Sequence, residues 1–569
     1  MNGRRLASAA AALLLAALAA ALLVTTASAA PGASKAKSQL IVVADDIAPG
    51  LDPDGTTGAS PAYIEAIQNL LDPLVDYPSI RQGEVLALNY KVNAQQFEPR
   101  LATSWSKKGL IWTMKLRKGV KSCTGNEFTA DDVVYTFARA KSVSGAAPVA
   151  WFLGNVGGIL PLDPLVSKDP KAKELNGEVT KIDPYTVQFK QLHPNDLFPR
   201  VLQIEALLIW DSVEMKKHAT SADPWSHNYT QTVNAPGFGP YCMTKWIKGS
   251  EMQFTFNPNY YRGKAEFTNV VMRKVPANSS RIASLLAGQA DVATNLTPQE
   301  LAKVGSSSTA KVLSWKNNKV TYLGLNYKFA PWNDKQNKLI RQAVAYAMPY
   351  DEILKSDYLG TATKWNGHCE STYYGFVPNT KYQTNIAKAK ELMAQAGYPD
   401  GKGLPTDGLK IAYVAERRAL LEPIANRIST ALAQIGINIT LNPLSQTEYA
   451  DTALNKHDAA MFLSDADRPL GPDVGYCALL WYVSAAKGGL VTGLNYSSPT
   501  IDDLYAKSST TLGATRLAIL KKMQDTMMDD MPMIPIAEVQ SQLAVSKKIT
   551  NWKGMGLDGL SFFEFKNAS

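Results

Sequence analysis

The feature that most constrains this chain is an apolar run near its amino terminus, followed by a long stretch without another one. Arg4 and Arg5 precede an Ala/Leu-rich segment from Leu6 to Val24, and the small residues Ala27-Ser28-Ala29 come after it. This order is typical of a secretory signal peptide and its cleavage site. We therefore expect a signal peptide at 1–29, cleaved near Ala29, and an extracytoplasmic protein that is secreted or associated with the cell envelope.

Two other interpretations of this segment stay open. A membrane anchor needs about 20 apolar residues, and the run is nearly that long, although it is mostly alanine. Arg4-Arg5 also permits twin-arginine export instead of the general secretory route, although the residues that follow fit that signal poorly. The first cysteine is Cys123, far beyond the cleavage site. Since a lipobox cysteine is therefore missing, we expect no lipid anchor at the mature amino terminus.

The length of the chain after cleavage indicates how many hydrophobic cores it needs. Removing 29 of the 569 residues leaves 540, which is too many for one hydrophobic core and implies at least two lobes. No later segment is an uninterrupted apolar run of membrane length, so we expect the mature chain to be soluble. Hydrophobic residues make up 46% and charged residues 19% of the chain. These fractions are ordinary for globular proteins and exclude a natively disordered chain.

The charge of the chain argues against one class of partner. The formal net charge is +9, from 59 basic and 50 acidic residues. Apart from short pairs such as Lys107-Lys108, the basic residues are scattered along the chain. A nucleic-acid-binding protein needs a basic stripe with base-reading or stacking elements. We therefore expect no nucleic-acid partner.

The cysteines are few and widely spaced. Cys123, Cys242, Cys369 and Cys477 exclude the C-x-x-C spacing of redox and zinc sites. In an oxidising compartment they permit one or two disulfides, and four cysteines allow three pairings. We favour Cys123–Cys242 with Cys369–Cys477, because each bridge then stays within one half of the chain.

Periodicity indicates a mixture of strands and helices. Apolar and polar residues alternate from Trp112 to Arg117, which is the period of a half-buried strand. Thr129 and Asp132 form a capping-box-like start, and an apolar helical face follows it up to Ala140. Such a mixture predicts α/β lobes. Further strands are predicted at 40–44, 186–189, 252–256 and 320–325, and further helices at 64–71, 281–286, 337–348, 386–396, 423–435 and 515–528.

These same residues resemble a known family. The segment from Trp112 to Tyr135 is similar to the signature W-T-F-x-L-R-x-G-V-x-F-x-D-G-x-x-F-T-A-x-D-V-V-Y of the peptide/dipeptide/nickel class, family 5, of extracellular solute-binding proteins of ABC transporters. Oligopeptide- and dipeptide-binding proteins belong to this class. The resemblance extends from about Leu51 to Pro535. The later segments that carry it, in the family's order, are 237–241 with 246 and 257–261, 288–292, 325–347 and 388–398.

The resemblance implies a fold and a division into domains. We expect an α/β, two-lobed periplasmic-binding-protein fold with an extra inserted domain, in which two crossover strands serve as the hinge and the lobes close around a ligand. The expected parts are a signal peptide (1–29), a flexible tether (30–39), lobe I (40–80, 191–314 and 536–569), an inserted domain II (81–190) and lobe II, or domain III (315–535).

The resemblance also implies a ligand-binding site in the second lobe. Asp465 matches the Asp that pairs with the α-ammonium of a peptide in peptide-binding members, and Phe462 replaces the usual Trp. Arg417 matches the position where dipeptide binders place an arginine, which clamps a carboxylate through two parallel hydrogen bonds. Each candidate also has a purely structural alternative. Asp465 could be an ordinary loop carboxylate, Arg417-Arg418 a solvated arginine pair, and the aromatic candidates part of the core. Further candidates are Arg418, Asp467, Tyr449 and Trp481, with Tyr482 as another possible wall and Asp473 as a rival for the Asp position.

We therefore expect a non-enzymatic protein that captures a peptide or peptide-like small solute for uptake by an ABC-transporter permease, works as a monomer and needs no cofactor or metal. A sensor or scavenger for an opine, an oligosaccharide or another metabolite is the alternative. A secreted hydrolase is the more distant one, because none of the histidines lies in a catalytic motif. These histidines are His193, His218, His227, His368 and His457.

Overall fold

The computed structural model of the protein describes residues 38–53, 61–141, 178–192, 197–334, 336–465, 471–490, 493–550, 552–553 and 559–568. The predicted signal peptide and most of the predicted tether lie outside these ranges. The strands are β1 (Gln39–Ala44), β2 (Val75–Asp76), β3 (Ser79–Gln82), β4 (Val85–Leu88), β5 (Glu98–Pro99), β6 (Ala102–Lys108), β7 (Ile111–Leu116), β8 (Val179–Asp183), β9 (Thr186–Lys190), β10 (Tyr241–Ile247), β11 (Glu251–Phe256), β12 (Asn269–Lys274), β13 (Val292–Ala293), β14 (Ala310–Leu325), β15 (Ala362–Lys364), β16 (Lys410–Val414), β17 (Thr440–Leu444), β18 (Met461–Ser464), β19 (Met533–Ser546), β20 (Ile549–Thr550), β21 (Trp552–Lys553) and β22 (Lys566–Asn567).

The helices alternate with these strands, as expected for an α/β protein. They are α1 (Pro61–Leu70), α2 (Ala130–Lys141), α3 (Phe198–Val201), α4 (Ser212–Lys217), α5 (His227–Thr232), α6 (Asn278–Leu286), α7 (Pro298–Gly305), α8 (Asn337–Ala347), α9 (Tyr350–Glu352), α10 (Ile386–Gln395), α11 (Arg418–Ala433), α12 (Gln446–Tyr449), α13 (Val474–Trp481), α14 (Pro499–Ser509) and α15 (Gly513–Asp530). Within the described ranges, no helix has both the length and the apolar character that a membrane span requires.

One large mixed sheet runs through the whole molecule. Its strand order is β10-β11-β12-β1-β13-β19-β14-β18-β16-β17, and β15 pairs with β19 off this path. The strands from β10 to β13 belong to the first lobe, and β15 to β18 belong to the second. Strands β14 and β19 lie between the two groups and pair with each other in antiparallel register.

Strands β14 and β19 are the two crossover strands. Val292 and Ala293 of β13 pair with the carboxyl-terminal end of β19 in the first lobe, whereas β18 pairs with the last four residues of β14, Tyr322–Leu325, in the second. The register between the two crossover strands shifts between Lys316 and Lys319, so Asn317 and Asn318 form a bulge. The connection between the lobes is therefore a two-stranded ribbon with a bulge near its middle. The two-lobed fold with two crossover strands, which the resemblance implied, is confirmed.

A separate four-stranded antiparallel sheet, in the order β6-β7-β9-β8, contains the strand predicted from the Trp112 alternation. Trp112 and Met114 are buried, as that alternation requires. The helix α2 begins as predicted, because the carboxylate of Asp132 accepts the backbone N–H of Thr129 over 2.7 Å. This sheet lies within the segment predicted to form the inserted domain, but the domain boundaries remain predictions.

Burial divides the apolar side chains into large clusters. One cluster fills the first lobe, around Val42, Phe254 and Phe562, and a second fills the second lobe, around Ile340 and Leu421. A third cluster contains residues from both lobes, such as Ile204 and Tyr476. The two lobes are therefore in contact in this structure.

Both disulfides match the favoured pairing. Cys123–Cys242 and Cys369–Cys477 have S–S distances of 1.99 and 2.06 Å. Each bridge links residues of the same half of the chain.

The structure departs from the sequence-based elements at two places that matter for the site. The strand predicted at 320–325 begins ten residues earlier, at Ala310, because only its last part is buried on both faces and therefore reads as a continuous apolar run. The helix predicted from Pro423 begins at Arg418. Pro423 lies inside it, where it cannot donate the backbone hydrogen bond of a regular helical residue.

Candidate functional site

The candidate site forms where two parallel strands end. Strands β16 and β18 are parallel neighbours, with Ile411 opposite Met461, so their carboxyl ends open at the same edge of the sheet. Ser464, the last residue of β18, pairs with Tyr322 of the crossover strand β14. Because β14 enters from the first lobe and runs antiparallel to β18, this edge faces the first lobe. A crevice outside the carboxyl ends of strands is where open α/β sheets bind ligands.

Arg417 and Asp465 meet at this edge. Arg417 follows β16 and caps the start of α11, and Asp465 follows β18 directly. The guanidinium Nη2 of Arg417 donates a hydrogen bond to Oδ2 of Asp465. The Asp465 side chain is 3% exposed and the Arg417 side chain 36% exposed. One member of this ion pair is therefore shielded from water while the other still reaches it.

Two residues that the sequence did not single out lie beside this pair. The hydroxyl of Tyr358 shares a hydrogen bond with Oγ1 of Thr321 on β14. Burial raises the pKa of Tyr358 well above its usual value, and the nearby charge of Asp465 raises it further while Arg417 opposes the shift. Tyr358 is therefore a neutral hydroxyl next to the ion pair. Neither residue stands in a recognisable motif, so only the topology reveals them.

Two aromatic candidates, Phe462 of β18 and Trp481 of α13, pack around Tyr322 of β14. The rings of Phe462 and Trp481 each lie edge-on to Tyr322 of β14, with ring centroids 6.0 and 5.8 Å away. Phe462 is fully buried. A Cβ atom on Gly324 would lie 2.2 Å from a Phe462 ring atom, so glycine at position 324 makes room for the ring. Phe462 thus packs in the core beneath the site edge.

Trp481 differs from Phe462 because it carries a polar atom. Its indole Nε1 is buried and finds no hydrogen-bond acceptor among the described residues. The neighbouring Trp365 has its own indole N–H satisfied by the carbonyl oxygen of Cys369, at 2.7 Å. A buried donor without a partner costs about 1–3 kcal/mol. Trp481 is therefore the aromatic candidate with an unused binding group.

Among the described residues, the remaining candidates are not seen to contact the Arg417–Asp465 pair. The hydroxyl of Tyr449 donates to the carbonyl oxygen of Leu463 over 3.4 Å, in the interior of the lobe. Arg418 is 62% exposed and pairs with Glu422 one helical turn away, not with Asp465. Asp467 lies outside the described residues. The structure therefore brings together Arg417 and Asp465, and separately Phe462 and Trp481.

Asp473, the rival for the Asp position, is occupied by other groups. Its two carboxylate oxygens accept hydrogen bonds from Arg516 over 2.7 and 2.9 Å, and it also caps α13 by accepting the backbone N–H of Gly475 over 2.7 Å. Burial alone would raise the pKa of Asp473, but the charges of Arg516 and Arg200 outweigh it and lower the pKa below its usual value. Asp473 is therefore charged at neutral pH and anchors parts of the second lobe to each other.

The disulfide Cys369–Cys477 holds the aromatic side of the site. It ties the loop around His368 to α13, the helix that ends at Trp481. Nδ1 of His368 lies 3.0 Å from the hydroxyl of Tyr482, and burial lowers the pKa of His368 to about 3. This histidine is therefore neutral. Across the described ranges, no three His, Cys, Asp or Glu side chains converge as a metal site would require.

Comparisons with known proteins agree with this architecture. Residues 96–487 match the family model described as bacterial extracellular solute-binding proteins, family 5 Middle. The chain is 28% identical to heme-binding protein A of Haemophilus influenzae over 64% of this chain and 64% of that relative. It is 26% identical to the dipeptide-binding protein of Escherichia coli over 85% of this chain and 88% of the relative.

A solved structure shares the fold. The ABC transporter-associated periplasmic binding protein DppA from Helicobacter pylori, in complex with the peptide STSA, has a TM-score of 0.73 and 24% sequence identity, covering 93% of this chain and 98% of that chain. At this identity the likeness concerns the fold alone.

Proposed function

Since the chain belongs to the bacterial extracellular solute-binding proteins of family 5, we propose that it encloses a peptide or a peptide-like small solute between its lobes and delivers it to the permease of an ABC transporter. The observation that carries this proposal is the Arg417–Asp465 ion pair at the sheet edge that faces the first lobe. The protein acts outside the cytoplasm, as a monomer, and leaves its ligand chemically unchanged.

The ion pair supports a ligand with two opposite charges. A zwitterion that enters between Arg417 and Asp465 replaces one ion pair by two: its ammonium binds Asp465 and its carboxylate binds Arg417. The charge balance of the site is kept throughout. A ligand with only one charge leaves the other protein group unpaired, which is strongly unfavourable for the buried Asp465. A short peptide with free ends meets this requirement.

The flanking groups suit the rest of a peptide. The unused indole N–H of Trp481 donates to a ligand carbonyl, and the neutral hydroxyl of Tyr358 supplies a second polar contact without adding charge. Backbone groups of the strand edges supply further affinity, because a peptide bound as an added strand uses main-chain hydrogen bonds. Phe462 and Tyr449 stabilise the wall from beneath.

The proposal is tested with chemically blocked peptides. A synthetic library of dipeptides is offered to the purified protein, together with the same library acetylated at the amino end and, separately, amidated at the carboxyl end. Native mass spectrometry identifies what binds, and calorimetry measures affinity. We expect acetylation of the amino end to weaken binding at least about 30-fold, since the buried Asp465 then loses its partner. We expect amidation of the carboxyl end to weaken it less, since Arg417 still reaches water. Peptides recovered intact after prolonged incubation agree with a non-enzymatic role, and cleavage products contradict it.

The outcomes separate the parts of the proposal. If blocked and free peptides bind equally well, the assignment of the two charged residues is wrong. If no peptide binds and the protein instead retains an opine, an oligosaccharide or another metabolite from its host, the peptide class is wrong. The Arg418→Ala variant is the matched control, because this arginine is exposed and pairs with Glu422 within its own helix and not with Asp465, so we expect its affinity to equal that of the wild type.

A further inference from the structure

Arg200 is a buried cation outside the candidate site. It lies in α3 of the first lobe, and its side chain is 3% exposed. Nη2 donates to the carbonyl oxygen of Val92 over 2.6 Å, and Nη1 donates to that of Tyr90 over 3.4 Å. The guanidinium carbon lies 5.9 Å from the ring centroid of Phe97. These contacts hold Arg200 to residues 90–97, which lie in the segment predicted to be inserted into the first lobe.

The same guanidinium also contacts the second lobe. Nη1 donates to the carbonyl oxygen of Pro472 over 3.3 Å, and Nε lies 3.6 Å from Oδ2 of Asp473. On this side the guanidinium carbon lies 5.1 Å from the ring centroid of Tyr374. A single side chain therefore joins both lobes through a carbonyl, a carboxylate and an aromatic ring.

The hinge bulge is braced by the same two segments. Tyr90, whose carbonyl oxygen binds Arg200, donates through its hydroxyl to Oδ1 of Asn317 over 3.3 Å. On the other side, Oγ1 of Thr372 donates to Oδ1 of Asn318 over 2.9 Å. Contacts from both lobes thus converge on the bulge of β14 when the lobes are together.

The surroundings of Asp473 allow the contact with Arg200 to open and close. When the lobes separate, Asp473 keeps both hydrogen bonds from Arg516 and the one from the N–H of Gly475. Arg200 keeps the carbonyl oxygens of Val92 and Tyr90 and gains water. Neither charge is left buried and unpaired, so release avoids the large penalty of a broken buried ion pair.

We propose that Arg200 is an interlobe latch, a positioning residue that stabilises the closed form of the protein without touching the ligand. In the ligand-free protein it maintains a closed population, and in the complex it slows release of the ligand. The ligand-free part of this proposal does not depend on what the ligand is. The effect on release rests on the proposed function.

The test compares three variants. Arg200→Ala removes the latch. Tyr374→Leu removes only its aromatic contact on the second lobe and leaves the Arg200 hydrogen bonds within the first. Arg281→Ala is the matched control, because Arg281 is equally buried but donates to the carbonyl oxygens of Thr294, Val275, Pro276 and Asn295, all within the first lobe.

Small-angle X-ray scattering of the ligand-free proteins gives the ratio of closed to open forms. We expect Arg200→Ala to reduce it about tenfold, in line with the loss of a buried charge-assisted contact, and Tyr374→Leu to reduce it less. Arg281→Ala is expected to lose thermal stability while its ratio stays that of the wild type. A wild-type protein that is wholly open without ligand overturns the proposal, as does an unchanged ratio in Arg200→Ala. If Arg200→Ala does not fold, the Tyr374→Leu variant is the test. An unchanged ratio of closed to open forms in that variant overturns the proposal.

Stopped-flow kinetics with the tightest-binding dipeptide of the library adds a second readout. A latch predicts dissociation about tenfold faster in Arg200→Ala with an unslowed association rate. A slower association at constant dissociation rate contradicts it. If no dipeptide binds, the proposed function fails while the scattering result still decides on the latch.

Discussion

The second lobe contains two Arg–Asp ion pairs, Arg516–Asp473 and Arg417–Asp465, which have the same chemistry but different roles. Asp473 and Arg516 are each 1% exposed and joined by two hydrogen bonds, and Asp473 caps a helix as well. Asp465 has one hydrogen bond from Arg417, whose side chain is 36% exposed. The first pair excludes water and is held by several bonds, since Nε of Arg516 also donates to the carbonyl oxygen of Ser508. In the second pair, a single hydrogen bond joins the two side chains within the described residues, so Asp465 can accept and Arg417 can donate further bonds.

This difference indicates which of the two ion pairs can separate to admit a ligand. A buried pair with two parallel bonds is broken only at high free-energy cost, whereas a pair in contact with water is worth little and is exchanged for a ligand without a large penalty. The predictions below probe this contrast, beginning with the largest expected effect.

The first prediction concerns Asp473. We expect Asp473→Asn to lower the free energy of unfolding by about 3–5 kcal/mol, because Arg516 is left buried without its countercharge. Urea unfolding followed by circular dichroism measures this loss. Asp465→Asn is the matched variant, and we expect it to lose no more than about 1 kcal/mol because Arg417 reaches water. Equal losses of unfolding free energy in the two variants would contradict the proposed difference between the two ion pairs.

The second prediction concerns the disulfides. Replacing Cys369 and Cys477 together with serine is expected to lower stability by about 2–4 kcal/mol and also to weaken ligand binding, because the bridge fixes the helix that carries Trp481. The double replacement of Cys123 and Cys242, which lie far from this helix in the chain, is expected to reduce stability by a similar amount but to leave affinity unchanged. Unfolding curves and calorimetry on both variants provide the comparison, and an equal loss of affinity in both would contradict it.

The third prediction concerns Asp465 itself. We expect Asp465→Ala to weaken binding of a zwitterionic dipeptide at least about 30-fold, which corresponds to about 2 kcal/mol, while the protein remains folded. Calorimetry at neutral pH measures the change, and the melting temperature verifies the fold. An unaltered affinity would show that the ammonium binds elsewhere.

The smallest effect is a dependence on pH. The pKa of Asp473 is lowered in the folded protein, so below the usual aspartate value of 3.8 the unfolded chain binds more protons than the folded one. The stability that Asp473 contributes is therefore fully present above that value and is lost as the pH falls through the lower, folded-state pKa. Urea unfolding between about pH 2 and pH 6 is expected to show the difference between the wild type and Asp473→Asn shrinking below about pH 4. A constant difference over this range would contradict the role of charge.

Much of the architecture was predictable because it depends on local patterns. The strand predicted from the alternation at Trp112 and the helix predicted to start after Thr129 both lie where these patterns place them. The disulfide pairing followed from a simple rule about halves of the chain and is confirmed. The two lobes and their crossover strands followed from the resemblance, since no local pattern specifies how distant segments pair.

The candidate site was less predictable for the same reason. Arg417 and Asp465 were each singled out, but for opposite ends of a ligand, and their mutual contact depends on β16 and β18 being parallel neighbours. Sequence patterns do not determine strand order. Tyr358 and Arg200 carry no motif at all, because their roles arise from contacts with residues far away in the chain. Trp481 was a candidate only as an aromatic wall, and its unused N–H emerged from the packing around it.

The paired crossover strands have a mechanical consequence. Two hydrogen-bonded strands lie about 4.8 Å apart and form a narrow ribbon. The hydrogen bonds between them resist sliding of one strand along the other, whereas the ribbon bends more easily where this ladder is broken. The bulge at Asn317-Asn318 interrupts the ladder and provides the point of least stiffness. Movement of one lobe relative to the other is therefore expected to concentrate at this bulge.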